Sequence, residues 1–299
     1  MDYNDYLRYF LKFLKEKGFY QSPLTPGQLK KMRKQASSSS LRDLFSLGKG
    51  ISASSAKDLG LDIRFLVFKN GLFFSPLAFS SLPSGELIPH SHWPPEADQE
   101  YTHLGPESFY LFREMEKKNP KAVLDLGSGS GVLGFSLPKN VSYTGIDCSK
   151  GAIKISNYLK NHFDKLNFSF IEGFIGSSEI LKLFENKVFD LIVSNPPLAI
   201  PGETAMRHRD GGKLGIEVPL LFLDFALDHL SDNGEYWFIA GEVVSSGRKI
   251  IHEELKKRKV KIIEETILEE FFNHAYAGKH HYQEQNIDQV NLTMYKIKK

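Results

Sequence analysis

The chain has 299 residues, 41% hydrophobic and 25% charged, with 38 Lys and Arg nearly balanced by 36 Asp and Glu. That length and composition suit a protein that buries a real core and has room for about two domains. The lone Cys148 excludes an internal disulfide framework and cysteine-rich zinc sites, and the charges at Asp2, Asp5, Arg8, Lys12 and Lys15 leave no signal peptide or membrane span, so a soluble cytoplasmic protein is expected.

The first 95 residues read as a separate module. Tyr3, Tyr6, Leu7, Phe10, Leu11 and Leu14 fall at helical spacing and predict a helix that buries one stripe, stopped by Gly18. Thr25 is the expected cap of a second helix carrying Lys30, Lys31, Arg33 and Lys34, and the serine run 37–40 caps a third over 41–47. Residues 52–59 predict a fourth, with Gly60 as its stop. The apolar runs 64–68 and 72–75, joined through Lys69-Asn70-Gly71, predict a hairpin because Asn-Gly favours the tight turn. Helices followed by a hairpin resemble a winged helix in architecture, which by itself licenses no DNA-binding claim. Residues 1–50 hold ten Lys or Arg and four Asp or Glu, an excess that suits contact with RNA or the ribosome as well as a solvated helix face.

Pro83, Pro89, His90, His92, Trp93, Pro94 and Pro95 read as a linker, with His90, His92 and His103 as exposed loop histidines rather than metal ligands; His274, His280 and His281 read the same way. No metal site is expected. From residue 96 onward strands and helices alternate. Strands are predicted at 123–126, 142–147, 168–172, 189–194, 236–240, 260–267 and 292–297, with helices at 218–230 and 248–257 and a turn at Asp232-Asn233-Gly234. This pattern predicts an α/β fold, a Rossmann-like seven-stranded, mostly parallel sheet preceded by the smaller helical module, with ligands at the carboxyl ends of the strands.

The chemistry concentrates at those ends. The strand Val123-Leu124-Asp125-Leu126 runs into Gly127-Ser128-Gly129-Ser130-Gly131, and glycines without Cβ let a backbone approach a bound adenosine. Gly129, Gly131 and Gly134 also satisfy the dinucleotide fingerprint, so the loop fits both NAD and a methyl donor. Asp147 ends a second strand 20 residues beyond Gly127, the distance at which a carboxylate meets ribose hydroxyls, and this too fits both. The strand entering Asn195-Pro196-Pro197-Leu198 decides between them. Prolines fix φ and donate no N–H, so the turn holds its carbonyls free as acceptors, and the Asn195 oxygen with a carbonyl near Pro196 would hold a planar amide or aromatic NH2. An NAD enzyme has no use for that device.

Together with Leu104-Gly105-Pro106-Glu107-Ser108 and Arg209-Asp210-Gly211-Gly212-Lys213-Leu214-Gly215, these stretches resemble the class I S-adenosylmethionine-dependent methyltransferases, and within them the HemK-like group that modifies glutamine amides or exocyclic base amines. The resemblance covers roughly residues 100–245. It implies S-adenosylmethionine as cofactor, contacted by Gly127, Gly129 and Asp147, and a substrate contacted by Asn195, Pro196 and Pro197. Asp125, Gly131 and Asn195 complete the candidate cofactor site.

Two positions depart from the family. Leu198 stands where the family places Tyr or Phe, which keeps apolar contact but loses stacking worth about 1–3 kcal/mol against a base. Gly173-Phe174 stands where Gly-Asp is usual, so Glu172 or Phe174 is left to meet the adenine. Residues 199–214 read as a polar, glycine-hinged lid. Arg207 and Arg209 are candidates for a phosphate or carboxylate or for ties to Asp210 and Glu203, and His208 is a conceivable proton acceptor. The expectation is an S-adenosylmethionine-dependent N-methyltransferase acting on a protein of the translation apparatus or on RNA. A small-molecule methyltransferase and a catalytically silent binding module on the same fold stay open.

Overall fold

A computed structural model describes residues 3–36, 38–92, 102–200, 210–269 and 286–299. The described residues fall into two compact units, one ending at Pro106 and the other starting at Glu107. In the first, α1 (Tyr3–Glu16) buries Tyr6, Leu7, Phe10, Leu11, Phe13 and Leu14, whereas Tyr3 is only half-buried. The next three helices, α2 (Pro26–Arg33), α3 (Leu41–Phe45) and α4 (Ala53–Leu59), start on the expected caps. Thr25 and Ser40 form capping boxes with Gln28 and Asp43, and Ser52 accepts from the Ser55 N–H. Gly60, at φ 76°, ends α4. The hairpin pairs β1 (Val67–Lys69) with β2 (Leu72–Phe74), and Asn70 and Gly71 both take left-handed conformations, φ 52° and 78°, as a tight hairpin turn requires.

The stretch read as a linker is partly ordered sheet. A second hairpin pairs β3 (Ala78–Ser81) with β4 (Leu87–His90), and Pro89 sits opposite Phe79. A two-stranded ribbon tolerates a proline because each strand has one edge without a partner. Phe79 holds the hairpin to the helices, its ring centroid 6.2 Å from Phe10 and 5.7 Å from Phe45. His90, expected to be exposed, is drawn in instead: its Nε2 lies 2.9 Å from Ser80 Oγ, and burial pushes its pKa down to about 3. Trp93, Pro94 and Pro95 lie outside the described residues.

The second unit begins in α5 (Pro106–Met115) and is built on one sheet. Its strands are β5 (Ala122–Leu126), β6 (Ser142–Asp147), β7 (Phe168–Glu172), β8 (Phe189–Ser194), β9 (Leu230–Ser245), β11 (Lys261–Glu269) and β12 (Gln289–Lys298), in the order β11-β12-β9-β8-β5-β6-β7; the two-residue β10 (Arg248–Lys249) adds to β9. All seven expected strands are here. The pairs β5–β6, β6–β7, β5–β8 and β8–β9 are parallel, and β12 runs antiparallel to both its neighbours. Chain order reverses between β5 and β8, so a crevice opens there at the carboxyl ends.

Apolar residues on both faces of β5 and β8 explain their central place. On one face Leu124, Leu126, Ile192 and Phe238 pack with Phe222, Leu223 and Ala226 of α8 (Glu217–His229), with Ile251 and Leu255 of α9 (Ile250–Lys257), and with Ile180 and Phe184 of α7 (Ser178–Phe184). Each such fully buried side chain contributes about 1.5–3 kcal/mol. Helix α6 (Lys150–His162) lies against β6 and β7.

Two boundaries differ from expectation. Asp232-Asn233-Gly234 does not break the chain between helix and strand but lies inside β9. Leu230 pairs with Phe189 and Glu235 with Leu191, so the intervening residues bulge out of the ladder. Helix α9 starts at Ile250 rather than Arg248, and its N-cap, Lys249, supplies no side-chain bond. The buried Glu242 of β9 does this from a distance: it accepts from the N–H groups of Ile251 at 2.9 Å and His252 at 3.0 Å, and from the Tyr295 hydroxyl. Removing the carboxylate in Glu242→Ala orphans three donors, two of them in buried bonds, and is expected to cost about 1–3 kcal/mol or more of stability. A urea unfolding midpoint indistinguishable from that of the unmodified protein would contradict this.

Candidate functional site

Four parallel strands deliver the candidate residues in a row. Across the order β8-β5-β6-β7 the carboxyl ends present Asn195, Asp125 with the glycine loop, Asp147 and Glu172. Strand spacing puts the outer two roughly 14 Å apart, three sheet steps. The register keeps these ends level, since Leu126 pairs with both Ile146 and Ser194, and Asp147 with Glu172.

Gly127, Gly129 and Gly131 all take left-handed conformations, at φ 71°, 55° and 75°. A Cβ on Gly131 would stand 2.6 Å from the Phe170 ring, so close approach as well as backbone angle demands glycine there. The loop is strapped to β6. The N–H groups of Gly127 and Ser128 donate to the Ile146 carbonyl at 2.8 and 2.9 Å, and the Gly129 N–H donates to Asp147 at 2.8 Å. Asp147 also accepts from the Ser149 N–H at 2.8 Å, which fixes both its oxygens.

Two acids share this corner. Asp125 is 1% exposed, and burial, aided by the neighbouring Asp147 charge, pushes its pKa up to about 7 against the opposing hydrogen bond from the Tyr143 hydroxyl. Burial also raises the pKa of Asp147, while its backbone donors pull it down. Three oxygens here, Asp125 Oδ1, Ser128 Oγ and Ser130 Oγ, are buried with no hydrogen-bond partner among the described residues. Buried polar atoms are normally satisfied, so three within six residues at the end of β5 point to a ligand or water that completes them.

Asn195 leaves the end of β8 with its amide oriented by a residue that sequence reasoning gave no role. Its Nδ2 donates to Ser108 Oγ of α5 at 3.0 Å. Ser108 lies 87 positions earlier, and its place in the Gly-Pro-Glu-Ser stretch was the one signal available. Pro196, Pro197 and Leu198 continue as an irregular segment, and Leu198 is buried at 7% exposure.

The glycine-rich stretch after residue 209 clamps that segment. The Gly211 N–H donates to the Ala199 carbonyl at 2.9 Å. A Cβ on Gly211 would fall 2.8 Å from the Pro197 carbonyl oxygen, and one on Gly215 2.4 Å from that of Leu198. Glu172 and Phe174 are both exposed beside Gly173, whose N–H donates to the Asp147 carbonyl. Thus Asn195, Asp125, the three glycines and Asp147 come together on adjacent strands, with Glu172 one strand further out. The expected lid residues Glu203, Arg207, His208 and Arg209, and His274, His280 and His281, lie outside the described residues. Among the described residues no group of three or more His, Cys, Asp or Glu is arranged to hold a metal.

A family model described as "Methyltransferase small domain" matches residues 101–267. Among curated relatives, a release factor glutamine methyltransferase from Fusobacterium nucleatum is 40% identical over 108 residues, 34% of this chain and 27% of that protein. One from Lactococcus lactis is 30% identical over 145 residues, 44% of this chain and 51% of that protein. The alignments therefore span about half or less of each relative's length. Of solved structures, the complex of aTrm5 with tRNALeu aligns over 75% of this chain and 53% of that one, with 16% identity and a TM-score of 0.48.

Gly215 has both a left-handed φ of 71° and a backbone neighbour where a Cβ would go. Gly215→Ala is expected to push the Leu198–Ala199 backbone aside and cost about 1–3 kcal/mol. The check is a thermal midpoint lowered by several degrees together with faster amide exchange at Leu198 and Ala199; unchanged exchange would show that the clamp is dispensable.

Proposed function

Because this chain belongs to the methyltransferase small domain family, we propose that it is an S-adenosylmethionine-dependent N-methyltransferase whose acceptor is the side-chain amide of a glutamine in a protein of the translation apparatus. The observation that carries this reading is the amide of Asn195. With Nδ2 committed to Ser108, Oδ1 is the atom left to accept, at the carboxyl end of a strand beside the glycine loop. A primary amide offers two N–H groups. One suits Asn195 Oδ1 and the other a backbone carbonyl of the Pro196 region, a pairing that turns the face of the nitrogen one way. Orientation of this kind can supply roughly 7–11 kcal/mol of barrier reduction.

The residues present fit the methyl donor. Asp125, Gly127, Gly129, Gly131, Asp147 and Glu172 would hold it, and the orphaned oxygens of Asp125, Ser128 and Ser130 are acceptors for its donors. When bound, the donor supplies a methyl group made electrophilic by a sulfonium. The chain's own contribution would be to hold the donor between the glycine loop and its two acids and to hold the acceptor nitrogen still.

Leu198 favours an amide over a base. Its side chain is buried and offers no ring on which a flat base would stack, a contact worth about 1–3 kcal/mol to a nucleobase and less to the smaller plane of an amide. The relatives named release factor glutamine methyltransferase support the same choice. An acceptor in the translation apparatus implies a cytoplasmic enzyme, and among the described residues no helix is long and apolar enough to cross a membrane.

Incubation with radiolabelled S-adenosylmethionine and cell extract should give label that protease removes and RNase leaves. Label lost to RNase would mean an exocyclic amine of RNA as acceptor, and label on neither would mean a small molecule or a silent binding module. Asn195→Ala should keep cofactor affinity by calorimetry and lose transfer by a factor of at least about a hundred; equal loss of both would make Asn195 structural.

Residues 1–95 we assign to recognition of the macromolecule. The net excess of six positive charges in residues 1–50 and the exposed Val67 and Phe68 on the first hairpin support this role. Deleting them should spare S-adenosylmethionine binding and collapse transfer to the natural substrate. Methylation at the full rate by a folded truncated protein would make the module structural.

A further inference from the structure

The third glycine of the fingerprint has a use that the loop itself does not explain. Gly134 sits in the short 3-10 turn Val132–Ser136, where a Cβ would stand 2.9 Å from Tyr143 Cζ and 2.8 Å from Phe168 Cε2. The space is filled by the Tyr143 ring, which is fully buried and tilted against Phe168 with the ring centroids 4.7 Å apart. Tyr143 lies on β6 two residues before Gly145, the partner of Asp125 in the ladder, so its side chain shares the Asp125 face. Its hydroxyl donates to Asp125 Oδ2, and Asp125 Oδ1 stays buried and unpartnered among the described residues.

Resting on the S-adenosylmethionine reading above, we propose that Tyr143 is a positioning residue of the methyl-donor site: it holds one oxygen of Asp125 so that the other, as carboxylate, receives a cationic group of the donor. A carboxylate buried beside Asp147 would otherwise take up a proton and lose its attraction for a cation. Tyr143 is suited to the task because burial and the Asp125 charge raise its own pKa well above the ordinary phenol value, so it remains a neutral donor. The other titratable groups acting on this carboxyl are Asp147 at the end of β6 and, from β9, Tyr236, whose hydroxyl is bonded to Ser194 of β8 at 2.6 Å and feels the Asp125 charge.

The Tyr143 hydrogen bond stabilises the charged form of Asp125 and lowers a pKa that burial and Asp147 raise, leaving it near about 7. Affinity for a cation is present above that pH and is lost as pH falls through it. Tyr143→Phe removes the lowering contribution and moves the loss to higher pH.

The test uses the full chain. In ligand-free protein labelled with 13C at aspartate carboxyls, and with Asp125→Asn to identify the resonance, the Asp125 midpoint should rise by about one unit or more in Tyr143→Phe. Calorimetry with S-adenosylmethionine should show the variant weakened about fivefold or more near pH 7, with the gap closing as pH rises. In the Asp125→Asn background, Tyr143→Phe should have no further effect on that pH profile. Should Tyr143→Phe fail to fold, 3-fluorotyrosine at the same position, a stronger donor, should move the midpoint downward instead. An unchanged Asp125 midpoint, or a weakening equal at every pH, overturns the positioning role while leaving donor binding intact. Absence of any S-adenosylmethionine heat from the unmodified protein overturns the functional reading and this inference with it.

Discussion

Strand β5 is hydrogen-bonded along both edges, to β6 and to β8, and its apolar residues are covered on both faces. The position of every candidate residue depends on that double pairing. Because Asp125 lies level with Gly145 on one side and Val193 on the other, the three strands end together, and the loops that leave them meet in one crevice. A slip of one residue in the β5–β6 ladder would put Asp125 and Tyr143 on opposite faces of the sheet, and one in the β5–β8 ladder would take the end of β8 out of line with it. The glycines add nothing to this alignment. They allow the chain to turn sharply enough to make use of it.

Two buried carboxylates in the second unit are satisfied to very different degrees. Glu242 is 1% exposed and meets three donors, two N–H groups at the start of α9 and the Tyr295 hydroxyl. Asp125 is as deeply buried but meets one, and one of its oxygens has no partner among the described residues. A protein selected for stability alone would not keep an acid in that state, since an unsatisfied buried acceptor costs about 1–3 kcal/mol or more. Its neighbourhood with the orphaned Ser128 and Ser130 hydroxyls marks the glycine loop as a place built to be completed from outside.

Much of this was legible in the sequence because it is local. The caps at Thr25, Ser40 and Ser52, the Asn70-Gly71 turn and the seven strands each depend on a few consecutive residues whose conformational preferences agree with the fold. What escaped depends on partners. The hairpin of β3 and β4 was hidden by Pro89 and by histidines that read as loop, and became a strand only because Phe79 anchors its partner among Phe10 and Phe45. Asp232-Asn233-Gly234 has turn chemistry, but the neighbouring ladder absorbs it as a bulge. Ser108 and Tyr143 carry no mark of their contacts in their own sequence surroundings, since each meets a residue on another element, Asn195 and Asp125 respectively.

The place of β12 has a consequence for the order in which the molecule is made. It comes after β11 in the chain yet lies between β11 and β9, and among the described residues it is the strand with which β11 pairs. While the chain emerges from the ribosome, β11 therefore exists for a time as an amphipathic segment without a ladder, and β9 presents an open edge. The row β8-β5-β6-β7, made of earlier residues, can assemble in that interval. The half of the sheet that carries the candidate chemistry is thus free to form first, and the half that holds Glu242 with Tyr295 closes last, locking α9 in place only when the final strand slides between two that were waiting.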